Sequence, residues 1–146
     1  MKTINQNILT IQEGIVVQQV NAKGYMGAGL ARDIRNKWEK VYTEYYSAYK
    51  KGLLELGAVI WTSVKAGLWV ASIVAQKDIG RDKKKVYTVY LALKVGLLEI
   101  RDTANFHKKR VYIPYGIGCG LGNGKWGIVS KIIEETIPNA VICKLE

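Results

Sequence analysis

Ile113-Pro-Tyr-Gly-Ile-Gly-Cys-Gly-Leu-Gly-Asn-Gly-Lys-Trp-Gly127 is the stretch on which the reading of the chain turns. The apolar run Val111 to Ile113 predicts a short strand that delivers the chain to Pro114. Six glycines follow, at 116, 118, 120, 122, 124 and 127. Beyond them Val129, Ile132, Ile133 and Ile137 recur at helical spacing, and Pro138 predicts the end of that helix. Glycines let the backbone take positive φ and approach a ligand closely, and the following helix offers unpaired N–H groups at its start. A surface turn rarely needs so many glycines together, so the stretch reads as a ligand loop suited to phosphate.

The same pattern occurs nearer the N-terminus. Lys2 to Gln6 and Gly14 to Val20 read as strands, joined by a turn over Thr10 to Gly14. The second strand is nearly continuous in apolar residues (Ile15, Val16, Val17, Val20), as in a sheet covered on both faces. It runs into Asn21-Ala-Lys-Gly-Tyr-Met-Gly-Ala-Gly29, a loop with three glycines, and then into a helix marked by Leu30, Ile34 and Trp38. Val41, Tyr45 and Tyr49 continue a similar spacing after a break near Trp38, and Gly52 predicts a stop.

Ala58 to Val64 and Leu68 to Ala75, separated by Lys65-Ala-Gly67, read as an antiparallel hairpin. Gln76 to Lys85 reads as a polar connecting loop. Tyr87, Leu91, Val95 and Leu98 suggest the buried face of a helix ending near Phe106, and Ala140 to Leu145 a last strand. The expected order is strand, strand, helix, two strands, helix, strand, helix, strand. That order implies a three-layer α/β/α sandwich with a mixed sheet, filled by one domain over residues 1–146.

Composition fits this reading. A 146-residue chain with 49% hydrophobic residues can bury one core. No uninterrupted apolar run reaches bilayer-spanning length, and Met1-Lys-Thr-Ile-Asn-Gln lacks the apolar core of a signal peptide, so the expected location is cytoplasmic. Cys119 and Cys143 make neither a disulfide framework nor a zinc-ligand pattern; both are expected as free thiols, and no metal or cofactor is implied. The net charge of +10 favours anionic partners. Much of the excess lies in Arg81-Asp-Lys-Lys-Lys85 and Lys108-Lys-Arg110.

Several chemistries lose support directly. No Gly-x-x-x-x-Gly-Lys-Ser/Thr is present, and the Gly-x-Gly sequences lack the full dinucleotide fingerprint and a following acidic residue, so ATP hydrolysis and ordinary dinucleotide binding are not indicated. His107 stands beside Lys108-Lys-Arg110 at a helix end, where a surface or capping role suits it better than general base. No base is identifiable to activate Cys119. Tyr42, Tyr45, Tyr46 and Tyr49 read as one helix face and its margins.

The two loops together, Val20-Asn-Ala-Lys-Gly-Tyr-Met-Gly-Ala-Gly-Leu-Ala31 and Ile113-Pro-Tyr-Gly-Ile-Gly-Cys-Gly-Leu121 with Trp126 following, resemble the ligand loops of the macro domain family. The likeness is greatest to the branch with terminal ADP-ribose glycohydrolases, DNA-acting antitoxin macro domains and small phage-encoded proteins; a phage origin would place the protein in the host cytoplasm. The resemblance implies that ADP-ribose or a related nucleotide binds across both loops. Asn21 would approach the distal ribose, Gly27, Ala28 and Gly29 would turn backbone amides to the diphosphate, and Ile117, Gly118, Cys119, Gly120 and Leu121 would wrap its other side.

Two departures from the family pattern bear on activity. Family members often carry Gly-Asp where this chain has Gln6-Asn7, so Asn7 would meet the adenine without a charge-assisted bond. The glycohydrolase branch has an Asp where this chain has Gly122. Its lysine partner would fall within Ala75-Gln-Lys-Asp78, where Gln76 could take the aligned position and Lys77 is the nearest lysine and the candidate catalytic group, whose amine is nucleophilic when a desolvated site keeps it neutral; Asp78 is a candidate replacement carboxylate. The functions to be separated are hydrolysis of ADP-ribose from nucleic acid or protein, non-catalytic reading or sequestration, and phosphatase action on ADP-ribose 1″-phosphate.

Overall fold

A computed structural model describes residues 1–145. The chain forms β1 (Lys2–Asn5), a 3-10 turn (Ile8–Thr10), β2 (Gly14–Asn21), α1 (Gly29–Lys37), α2 (Glu39–Lys50), β3 (Val59–Lys65), β4 (Leu68–Gln76), α3 (Tyr90–His107), β5 (Val111–Pro114), α4 (Trp126–Thr136) and β6 (Val141–Lys144). The six strands make one sheet in the order β1-β6-β5-β2-β4-β3. All neighbours pair in parallel except β3 and β4. Their hairpin turns through Gly67 at φ +80. The mixed sheet, the element order and the helix break at Trp38 are those expected from the sequence.

Each face of the sheet is covered. Ile15 and Val17 of β2, Ala71, Ile73 and Ala75 of β4, and Val111 and Ile113 of β5 pack under α3 and α4. The alternate residues Val16, Val20, Val70 and Val74 meet Ile34, Val41 and Tyr45 of α1 and α2. Strand residues two apart share a face, so β2 must be apolar almost throughout to serve both layers. Each Val or Ile among them, when fully buried, contributes about 1.5–3 kcal/mol. No helix among the described residues is long and apolar enough to cross a membrane.

The face of α3 differs from expectation. Leu91 is 72% exposed and Val95 48% exposed, while Tyr87 lies before the helix begins. The buried stripe is Ala92, Leu93, Gly96, Leu97, Ile100 and Ala104. Small residues conceal this stripe in the sequence, because the helix lies close on β4. A Cβ at position 96 would stand 2.4 Å from Ile73 Cγ2, so the contact requires glycine despite its cost of about 1 kcal/mol in helix propensity.

Because β1, β6, β5, β2 and β4 run in the same direction, the loops leaving β2, β4 and β5 emerge together at the carboxyl edge, where ligands bind in open α/β sheets. A bulge between Val20 and Asn21 shifts the β2–β4 register there, so that Asn21 pairs with Gln76. Such irregularities re-aim side chains beside sites.

Candidate functional site

The three loops enclose a cleft of about 440 Å³, within the range of small-molecule sites. Its sides are Asn21, Tyr25 and Ala28 to Ala31 from the first glycine loop and α1, Gln76, Ile79, Gly80 and Arg81 from the loop after β4, and Pro114 to Gly118 with Gly120 to Gly122 from the second glycine loop. Gln18, Gln19 and Val20 of β2 complete the lining. No acidic side chain is among these residues, and Arg81 is the one with a formal charge.

Backbone donors converge on this space. The first turn of α1 has no side-chain cap at Ala28 and no acidic residue, which leaves the N–H groups of Gly29, Leu30 and Ala31 without intrahelical acceptors and the positive end of the helix dipole uncompensated. Opposite, Gly116 and Gly118 take φ of +77 and +76. That conformation folds the loop on itself, with Cys119 N–H donating to Gly116 O (2.8 Å) and Gly124 N–H to Gly118 O (2.8 Å). Among the described residues the N–H groups of Gly118, Gly120, Leu121 and Gly122 have no protein acceptor. Two sets of unpaired amides thus line a cleft free of carboxylates, an arrangement suited to a dianionic group.

The first loop is shaped by Asn21. Its Oδ1 accepts from Lys23 N–H (3.0 Å) and Tyr25 N–H (3.3 Å), and its Nδ2 donates to Tyr25 O (2.8 Å). The buried Tyr45 hydroxyl donates to the Asn21 carbonyl and lies 2.9 Å from Asn21 Oδ1. Burial pushes the Tyr45 hydroxyl well above the ordinary tyrosine range, partly offset by nearby backbone hydrogen bonds, so it stays a donor. Tyr45→Phe is expected to lower unfolding free energy by about 1–2 kcal/mol, since buried acceptors lose their donor. Denaturant unfolding should show a lower midpoint with unchanged slope.

The second loop is clamped from below. Gln19 Nε2 donates to Gln76 Oε1 (2.9 Å) and Thr88 Oγ1 (2.8 Å), and Thr88 Oγ1 donates to Gly118 O (2.7 Å). Gly122 O accepts from Tyr87 N–H (2.8 Å) and Thr88 N–H (3.0 Å), while Asn123 Nδ2 donates to Asp82 O (3.0 Å) and Lys85 O (2.8 Å). Gly122 is therefore buried inside this clamp. A Cβ there would lie 2.3 Å from Thr88 Oγ1 and 2.8 Å from Gly118 O.

Of the residues singled out from the sequence, Asn21, Ala28, Gly29, Ile117, Gly118, Gly120 and Leu121 are brought together in the cleft lining. Gly27 and Cys119 belong to the same loops without lining the cleft. Gly27 is closed over by the Tyr25 ring. Cys119 packs against the α3–α4 layer, and burial pushes its thiol up, which disfavours thiolate chemistry. Asn7 stands beyond the end of β1, capping the 3-10 turn with Oδ1 accepting from Leu9 N–H (2.9 Å), outside the cleft lining.

Lys77 is exposed and also outside the lining, although Gln76 before it lines the cleft. Asp78 pairs with Lys23 at 3.6 Å, both about half exposed, which ties the two loops only weakly.

Gln18, Gln19, Tyr25, Arg81 and Tyr115 were missed as site residues, whereas Gln76, the alternative to Lys77 at the aligned position, lines the cleft. The available signal was the pair Gln18-Gln19, polar within an otherwise apolar strand. Gln18 Nε2 donates to Ser72 Oγ (2.9 Å). The Oε1 atoms of Gln18 and Gln19 are buried without a partner among the described residues, and both residues line the cleft. Unpaired buried acceptors are costly and call for a donor such as a hydroxyl.

No protein-family model and no curated protein matches the sequence. Among solved structures, a protein of unknown function from Bacteroides thetaiotaomicron is 30% identical, with a TM-score of 0.90 over 99% of this chain and 97% of that one. The macrodomain of Mycobacterium tuberculosis DarG superposes with a TM-score of 0.80 at 18% identity, over 99% and 95% of the two chains. Thermosipho africanus DarTG in complex with ADP-ribose gives 0.78 at 21% identity, over 99% of this chain and 41% of that one. At 30% identity over nearly its whole length this protein belongs with its Bacteroides relative, and its fold is that of the macrodomains.

Proposed function

We propose that this protein binds ADP-ribose, or an ADP-ribosyl group carried on nucleic acid or protein, between its two glycine loops, and holds it without hydrolysing it. The observation that carries the reading is the meeting of unpaired amides from α1 and from Gly118, Gly120, Leu121 and Gly122 on one cleft without carboxylates. A diphosphate would accept from both sets. Arg81 adds positive charge at the wall. A protein of which a part shares this fold, Thermosipho africanus DarTG, is seen in complex with ADP-ribose, which supports the ligand class.

Retention without turnover is supported by the interior position of Gly122 and by the absence of any carboxylate or lysine from the cleft lining. In a pull-down with ADP-ribosylated oligonucleotide and ADP-ribosylated protein, the protein should retain modified material and release neither ADP-ribose nor phosphate from ADP-ribose 1″-phosphate. Failure to retain either material would count against the binding role. The placement of Lys77 directly after the cleft residue Gln76 favours hydrolysis as the second reading. Under it, wild type would release ADP-ribose in a single turnover and Lys77→Ala would be at least roughly 100-fold slower, as for loss of a nucleophile or acid–base group. The binding-only reading expects no release from either protein.

A further inference from the structure

A second cavity, of about 360 Å³, opens on the α3–α4 face and is lined by Ile15, Trp61, Trp69, Thr103, His107 and Lys109. Ile15 and Trp69 face each other near the starts of β2 and β4, whereas the glycine-loop cleft begins at Gln18 and lies toward the ends of those strands. From Ile15 to Asn21 the strand advances about 20 Å, so this cavity stands toward the opposite edge of the sheet.

Its chemistry is unusual for a solvent-facing surface. Trp69 is 40% exposed and Phe106 82% exposed. Trp61 and Trp69 meet edge to face at 6.4 Å, and Trp61 Nε1 donates to Glu99 Oε2 (2.8 Å), which fixes the indole. Phe106 does not line the cavity but meets the lining residue His107 edge to face at 4.9 Å. Immediately after α3, Lys108, Lys109 and Arg110 follow one another. Lys109 lies 3.8 Å from Glu13, while Lys108 and Arg110 have no ion-pair partner among the described residues.

Exposed aromatic rings alone would suit an ammonium group or an apolar peptide. The adjoining cations oppose the first and serve no purpose for the second. Rings beside Lys109 in the lining, followed in sequence by Arg110 and preceded by Lys108, match a ligand that is flat, π-faced and anionic, which is a nucleotide. Two aromatic pairs with three successive cations offer more stacking and phosphate contacts than one nucleotide uses.

We propose that this edge is a binding site for single-stranded nucleic acid, with bases stacked on Trp69 and Phe106 and phosphates on Lys108, Lys109 and Arg110. The test is fluorescence anisotropy with a labelled oligothymidylate of roughly twelve nucleotides, within the span such surfaces hold. Trp69→Ala and Phe106→Ala should each weaken binding roughly 5- to 150-fold, the range for one stacked base. Replacing Lys108, Lys109 and Arg110 together with Ala should reduce the salt slope by about 2. Gly120→Glu, in the other cleft, should leave the affinity unchanged whether or not that cleft takes ADP-ribose.

Circular dichroism checks each variant, and the highly exposed Phe106 keeps the test valid if Trp69→Ala folds poorly. Absence of salt-sensitive binding by the wild type would overturn the proposal. So would wild-type affinity in folded Phe106→Ala and in the triple variant, or loss of binding in Gly120→Glu, which would place the strand on the glycine loops.

Discussion

Gly122→Asp is expected to lower the unfolding free energy by about 3–5 kcal/mol and to confer no hydrolytic activity. The substitution restores, in sequence, the carboxylate that the glycohydrolase pattern carries after Gly-Cys-Gly-Leu. In space it does something else. A Cβ at 122 would lie 2.3 Å from Thr88 Oγ1 and 2.8 Å from Gly118 O, with the position itself buried. Overpacking of this kind costs about 1–3 kcal/mol, and a carboxylate forced toward a carbonyl oxygen without a partner adds several more. Relief would require the loop to leave Thr88, breaking the bonds that shape the cleft. Denaturant unfolding measures the first effect and a single-turnover release assay the second. A variant as stable as wild type that releases ADP-ribose would show that the clamp does not exclude a side chain.

Gly120→Glu is expected to reduce ADP-ribose affinity by on the order of 100-fold or more while leaving stability within about 0.5 kcal/mol, as for surface substitutions generally. Gly120 lines the cleft, is exposed, and has no heavy atom within 4 Å of an added Cβ. The fold can therefore take the side chain. A carboxylate about 4 Å from one phosphate charge opposes binding by about 4 kcal/mol at an effective dielectric of 20, a value that solvent at the open mouth reduces. Gly120→Ala, which adds bulk without charge, should lose much less. Equal affinity in all three proteins would mean that the diphosphate does not pass Gly120.

The layers and their order were legible because β2 and β4 must be apolar on both faces and because α1, α2 and α4 carry large residues at helical spacing. The face of α3 was not. Its contact surface is made from Ala92, Gly96 and Ala104, residues whose small size matters only against Ile73 and its neighbours. Both glycine loops were legible from composition alone. What the pattern could not convey was the direction in which position 122 faces, which depends on Thr88, thirty-four residues earlier in the chain. Gln18 and Gln19 were visible as polar residues in an apolar strand, but their unpaired oxygens became evident only once Ser72, Gln76 and Thr88 were seen to use their amide nitrogens.

Asn21 shows how one residue can satisfy two readings. From the sequence it is either a turn-former or a ligand contact. Its side chain bonds within the first loop and to Tyr45, yet it also lines the cleft. Much of its contribution to binding would then be preorganisation, which lowers the cost of ordering a loop when ligand arrives.

The most direct measurement is isothermal titration of the wild-type protein with ADP-ribose, with ADP and adenosine titrated in parallel. Amides from both loops acting on the diphosphate predict saturable one-to-one binding of ADP-ribose, weaker binding of ADP, and little heat from adenosine. No binding of ADP-ribose at millimolar concentration, about −4 kcal/mol in free energy, would contradict the assignment of this cleft.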